Sequence, residues 1–150
     1  MIRRFGEPPE QGRKYTRRLG AYALLERDGG LLVTLQAEPG PELQLPGGGV
    51  DPGESPIAAL HREVYEETGW SITTPRQVGA FRRFTYMPEY DLFAEKICLI
   101  YTARPAIRRG DPTEPGHTAL WLEPDVAAQH LGNAGDRHFA AAMARGLALG

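Results

Sequence analysis

Cysteine is almost absent. The 150-residue chain has one, Cys98, inside the apolar run ICLIY. A single thiol cannot close a disulfide within the chain, which excludes a disulfide-stapled scaffold and fits a reducing compartment. Long apolar runs are also missing: no stretch approaches the roughly 18 residues of a membrane span. The opening MIRRFGEPPEQGRKYTRR lacks the apolar core of a signal peptide. The expectation is a cytoplasmic protein with no membrane partner. Charge imbalance is slight, at −2, so nothing global points to nucleic acid or an anionic surface. The four histidines, His61, His117, His130 and His138, show no zinc-ligand spacing and read as structural or exposed.

What is present fits one globular domain. Hydrophobic content is 41% and charged content 24%, both near globular averages, and the length suits a single core. Six of the 17 basic residues, Arg3, Arg4, Arg13, Lys14, Arg17 and Arg18, fall in the first eighteen positions. Residues 1–18 therefore read as a basic N-terminal arm, either solvated or meeting phosphates of a substrate or of RNA. Deleting residues 1–12 is expected to leave the fold intact. Residues 19–150 read as the single domain.

Within it, LGAYALLE and GLLVTLQA are strand-length runs joined by a turn at Asp28-Gly29-Gly30, which predicts a hairpin. PGPELQLPGGGVDPGES predicts a short strand feeding an irregular loop. SPIAALHREVYEETGW predicts a helix, with Ser55 as N-cap, Pro56 in the first turn and Gly69 as the stop. Strands follow in SITTPRQVGAFRRFTY, LFAEKICLIYTARP and TALWLEP, then helices in DVAAQHL and DRHFAAAMARGLAL. Trp121 and Phe139 are expected in the core. The fold class is α/β, a mixed sheet flanked by helices.

The helix at 55–70 carries the chemistry. At 100° per residue from Ile57, Leu60, Val64 and Thr68 fall at roughly 300°, 340° and 20°, one apolar stripe. Glu66, Glu63 and Glu67 fall at roughly 180°, 240° and 280°, on its flank. Like charges so spaced repel by roughly 0.2–0.5 kcal/mol per pair. A divalent cation such as Mg²⁺ or Mn²⁺ would relieve that; the bland reading is a solvated acidic face. Before the helix, Gly47, Gly48, Gly49 and Gly53 give a backbone that ligands can approach closely, running into a helix N-terminus that favours anions.

From Gly48 to Trp70 the residues are Gly, five others, Glu54, seven others, Arg62-Glu63, Val64, Tyr65, Glu66-Glu67, Thr68, Gly69, Trp70. This resembles the complete Nudix box, GX5EX7REUXEEXGU, with Val64 and Trp70 at the bulky apolar positions. The resemblance implies a Nudix-like α/β/α sandwich. It also implies metal-dependent hydrolysis of a pyrophosphate bond in a nucleoside diphosphate linked to another moiety, of the dinucleoside polyphosphate, nucleotide sugar or nucleoside triphosphate class. It implies that Glu63, Glu66 and Glu67, with the Gly47 carbonyl, hold Mg²⁺ or Mn²⁺. Glu63 or a loop glutamate would orient the attacking water, and Arg62 would pair with Glu54. Gly48 and Gly49 would meet the substrate. It admits a homodimer.

Outside the box, Glu114 is the first candidate for a further catalytic glutamate and Glu95 the second. Tyr86 and Pro88 lie where the superfamily carries residues associated with dinucleoside polyphosphate and ADP-ribose hydrolases respectively. Tyr86 is taken as substrate-binding, together with Arg82; Phe81, Phe84 and Tyr86 either stack a base or simply alternate along a strand. Two other readings stand. An RNA 5′-end pyrophosphohydrolase would use the basic arm and Arg82-Arg83 on the RNA backbone. A non-catalytic nucleotide-sensing module would usually have lost box glutamates, and this chain retains them all.

Overall fold

The structure, a computed structural model, describes residues 2–146. In chain order its strands are β1 (Arg3–Arg4), β2 (Thr16–Arg27), β3 (Gly30–Gln36), β4 (Glu42–Gln44), β5 (Gly47–Gly49), β6 (Trp70–Met87), β7 (Leu92–Arg108) and β8 (His117–Leu122). The helices are α1 (Pro56–Thr68), α2 (Pro124–His130) and α3 (Ala134–Ala144), and a 3-10 turn spans Pro88–Tyr90. The last helix read from the sequence ran to residue 149; residues 147–150 lie outside the described residues.

The sheet is mixed, in the order β1-β6-β7-β2-β3-β4, with β5 also on β2 and β8 also on β3. Its parallel pairs are β1·β6 and β2·β7. The β2–β3 hairpin turns at Asp28 and Gly29, both at positive φ, as its turn residues require. The pleat of β2 sends Ala21, Ala23 and Leu25 to one face, where they pack with Leu60 and Val64 of α1. Leu24 goes to the other face, with Ala127 of α2 and Phe139 and Ala140 of α3. Alternation along one strand thus puts α1 on one side of the sheet and α2 and α3 on the other. Each fully buried leucine or valine there contributes ~1.5–3 kcal/mol. No helix among the described residues is long and apolar enough to cross a membrane.

Four sequence expectations change. The glycine run read as a loop forms β5, because it pairs with β2 at Gly20–Tyr22. Ile57, at the helix's first turn, is exposed, while Glu67 joins Ala59, Leu60, Val64 and Thr68 on the buried face. Trp121 is 41% exposed and stacks edge-on against Trp70 instead of entering the core. The basic segment is joined to the sheet at both ends. Arg3 and Arg4 pair with Phe81 and Arg82, the Phe5 ring packs on Phe81 and His138, and β2 already begins at Thr16. Residues 6–15 between them belong to neither helix nor strand.

Candidate active site

The site begins where β5 crosses β2. Gly47 sits at φ 146°, and a Cβ there would collide with the Ala21 carbonyl and the Tyr22 backbone; only glycine fits so close a crossing. Next to it, a Cβ on Gly48 would stand 2.5 Å from the Glu63 carboxyl carbon. The acid-bearing helix therefore lies directly over the glycine strand. Ser55 fixes the start of that helix, its Oγ accepting from the Ala58 amide at 3.1 Å.

Arg62 organises the acids around it. Its Nε and Nη2 donate to the two Glu54 oxygens at 2.8 and 2.9 Å, a bidentate pair, as expected from the sequence. Its Nη1 reaches Glu63 Oε1 at 2.9 Å and Glu66 Oε2 at 3.5 Å, and Nη2 reaches the Gly49 carbonyl at 3.1 Å. The Arg62 hydrogen bonds hold the Glu54 carboxyl down to about 2. Those from Glu54, then Glu63, push the guanidinium above its usual range against the cost of its own burial.

Glu67 has no such cation. It is buried, and its Oε1 accepts the Gly47 amide at 2.9 Å. Burial raises its pKa well above the usual carboxylate range, and the charges of Glu63, Glu114 and Glu66 add to this. Glu63 is raised by burial too, against the pull of Arg62. Glu67 Oε2 lies 3.7 Å from His117 Nε2, and His117 Nδ1 lies 2.9 Å from Thr34 Oγ1. Burial lowers the His117 pKa, so this ring is a weak cation.

The loop before β8 closes the acid end. The Thr113 and Glu114 amides both donate to the Glu66 carbonyl at 2.8 Å, satisfying a carbonyl that the ending helix leaves free. Glu114 is thereby held near Glu63 and Glu67, close enough to raise both.

Two expected positions fall elsewhere, and a third, Tyr86, lines the cleft's edge. Glu95 takes Arg17 at 3.0 Å and Arg82 at 3.2 Å on the face of the sheet away from this site. Arg82 therefore faces away from the cleft, and the pleat turns its neighbour Arg83 into it. Tyr86 stands at the rim, exposed, its hydroxyl hydrogen-bonded to Asp91.

From Gly47–Gly49, Glu63 and Glu67 a cleft of about 570 Å³ runs past Tyr22, Arg83, Lys96 and Cys98 to Asn133 and Asp136. Its far wall was not found from the sequence. Asn133 caps α3, its Oδ1 accepting the Asp136 amide at 2.8 Å, a signal that reads as helix punctuation alone. Burial pushes the Asp136 carboxyl up to about 6.

The donor set is all oxygen: three crowded carboxylates, Glu63, Glu66 and the raised Glu67, and backbone carbonyls of glycines. That chemistry fits a hard divalent cation. Among the described residues no three acidic or histidine side chains stand close enough to hold an ion as they are placed; Arg62 supplies part of the positive charge to Glu63 and Glu66.

The NUDIX domain family model matches residues 14–143. A Bacillus subtilis (strain 168) protein, provisionally named an 8-oxo-dGTP diphosphatase, is 30% identical over 116 residues, 73% of this chain and 75% of its own. The MutT protein from Methanosarcina mazei Go1 superposes with a TM-score of 0.69 at 21% identity, over 90% of this chain and 98% of that one. A mutator MutT protein from Bacillus halodurans gives 0.68 at 20% identity, over 83% and 80%. These two structures establish the fold. The sheet, the glycine strand and the acid-bearing helix all fall within the family match, and the chain belongs to the Nudix hydrolase family.

Proposed function

We propose that the chain hydrolyses a pyrophosphate bond in a small nucleotide derivative, with Mg²⁺ or Mn²⁺ held by Glu63, Glu66, Glu67 and the Gly47 carbonyl. The observation that carries this reading is the cleft. One continuous cavity joins the glycine strand and the acid helix to a wall of directional hydrogen-bonding groups.

When bound, such ions neutralise the diphosphate and acidify water near it. The residues of the chain do the rest. The Gly47 amide holds Glu67 in place. Arg62, fixed by Glu54, orients Glu63 and Glu66, the kind of support that typically matters 10–100-fold. Glu114 is brought in by its loop to take a proton from the attacking water. Tyr22 lies in the cleft between the acid end and the far wall, where Asn133 offers an amide and Asp136 a carboxyl that can donate or accept near pH 6. Paired donors and acceptors of this kind suit a nucleobase or sugar. The Bacillus subtilis relative is named for a nucleoside triphosphate substrate, which lies within the proposed class. An RNA 5′-end draws less support, since Arg17 and Arg82 pair with Glu95 on the other face.

The test is a panel of nucleoside triphosphates, dinucleoside polyphosphates and nucleotide sugars, assayed with Mg²⁺ for phosphate and pyrophosphate release. Turnover of at least one member, abolished by excess chelator, is expected. Full turnover in chelator sinks the metal assignment, and no turnover of any member sinks the substrate reading.

A further inference from the structure

The cleft face of the sheet carries three cations abreast. Arg18 of β2 is registered with Lys96 of β7, and Lys96 with Arg83 of β6. Like charges directly opposite each other on neighbouring strands are destabilising. On the opposite face the same three strands solve this problem: Glu95 takes both Arg17 and Arg82. On the cleft face, among the described residues, no carboxylate pairs with Lys96 or Arg83, and the Arg83 Nε is buried with no hydrogen-bond partner. Arg18 lies 4.6 Å over the Tyr90 ring and Lys96 Nζ 5.8 Å from the Tyr22 ring. Asp136 and Glu89 act on Lys96 only through their field, and burial followed by Arg83 lowers the Lys96 pKa. Two half-buried cations thus face the ligand cleft with no carboxylate in ion-pair contact, Asp136 reaching both only through its field.

We propose that Arg83 and Lys96 form an anion subsite for a second phosphate of the substrate, a phosphomonoester outside the diphosphate that is cleaved. The proposal rests on the pyrophosphate-hydrolysis reading and narrows its substrate class. Position decides which phosphate it is. Gly20 is registered with Gly49 of β5 on one side and with Cys98 of β7 on the other. At a strand spacing of ~4.8 Å, β7 and β6 lie about 10–15 Å across the sheet from the glycine strand. Side chains shorten this for the charges themselves, Lys96 Nζ standing 5.8 Å from the Tyr22 ring. But β2 and its Tyr22 still stand between the glycine strand and β7. A diphosphate seated on the glycine strand, its phosphates sharing an oxygen, does not reach past that ring. A phosphate on the far side of a ribose can, with the intervening group lying along Tyr22.

Adenosine 5′-phosphate and adenosine 3′,5′-bisphosphate differ by one phosphomonoester, and neither contains a pyrophosphate bond. Calorimetric titration of each with Mg²⁺ present is expected to show the bisphosphate bound at least ~10-fold tighter by wild type. Lys96→Met and Arg83→Gln erase that preference, weakening the bisphosphate far more than the monophosphate; Lys96→Arg retains it. Raising salt narrows the preference. Thermal melts of each variant accompany the titrations, so that a lost preference in a protein that melts as wild type does marks a lost anion contact and not unfolding. Equal affinity of wild type for the two nucleotides, or a preference that survives in both variants, overturns the proposal. So does inorganic phosphate displacing the bisphosphate as well as the monophosphate does, which marks a free-phosphate site. Failure of the hydrolysis reading shows instead as no turnover of any diphosphate; the binding contrast still decides the subsite.

Discussion

The Glu63 carboxyl occupies the space that a side chain on Gly48 would need, 2.5 Å from the missing Cβ. The glycine strand and the acid helix are one device: β5 can carry no side chain at Gly48 because α1 lays a carboxylate there, and none at Gly47 because β2 closes on it.

Gly48→Ala and Gly47→Ala should therefore fail differently. At Gly48 the added methyl meets the tip of a flexible side chain, so Glu63 is displaced while the fold survives. Activity should fall about 10–100-fold with little change in Tm. At Gly47 the methyl meets backbone at a positive φ, and Tm should drop sharply. Thermal melts beside kcat for both variants check this; equal behaviour of the two would refute it.

Glu67 and Glu54 should separate by role. Glu67→Gln keeps an acceptor for the Gly47 amide but loses the charge, so kcat should fall at least about 10²-fold, on the order of 2.7 kcal/mol. A carboxyl with a raised folded pKa costs stability as pH rises above its unfolded value. The variant should thus melt no lower than wild type at neutral pH, with any advantage shrinking as pH falls toward about 4.5. Glu54 is the reverse case. Its pKa is held to about 2, so it contributes stability above about 4.5 that is lost as pH falls toward 2. Glu54→Gln should lower Tm at pH 7, converge on wild type in acid, and cost roughly 10-fold in kcat. Metal-free melts across pH together with kcat at saturating Mg²⁺ decide the matter.

Asp136 should leave a pH signature in stability. Its carboxyl is pushed up to about 6 by burial, above its unfolded value, so ionising it in the folded state is costly. Stability should decline as pH rises from about 4 to about 6. Asp136→Asn should remove that decline, raising stability at pH 8 by on the order of 1–3 kcal/mol. Denaturant melts of both proteins at pH 4 and pH 8 measure it; an equal gap at the two values would remove Asp136 as the cause.

Phe5 tests the basic segment. Its ring packs 5.6 Å from Phe81 and 5.1 Å from His138, centroid to centroid, and its amide donates to the Arg82 carbonyl at 2.9 Å. Phe5→Ala should cost about 1–2 kcal/mol, and deletion of residues 1–12 at least as much. Unchanged melting of the deletion would return this segment to a solvated arm.

Local chemistry made much of this molecule legible from the sequence alone. The Ser55 cap, the Gly69 stop and the 3.6-residue period fix α1, and its spacing sets Glu63 and Glu66 beside the buried face, with Glu67 drawn into that face. The pairing of Arg62 with Glu54 follows from the motif, and the β2–β3 hairpin from its turn residues. These signals act over one or two helical turns or a two-residue loop, which is why they survive without tertiary context. Tertiary structure decided the rest. Whether Arg82 or Arg83 faces the cleft depends on the phase of β6, which three register irregularities shift along its length. His117 reaches Glu67 only because β8 pairs with β3, and Asn133 and Asp136 reach the cleft only because α3 packs on the face opposite α1. The parallel pairing of β2 with β7 joins residues 78 positions apart, Arg17 and Glu95 among them. No local propensity encodes such a pairing, because burial and hydrogen bonding across the sheet choose it only once the whole chain has collapsed.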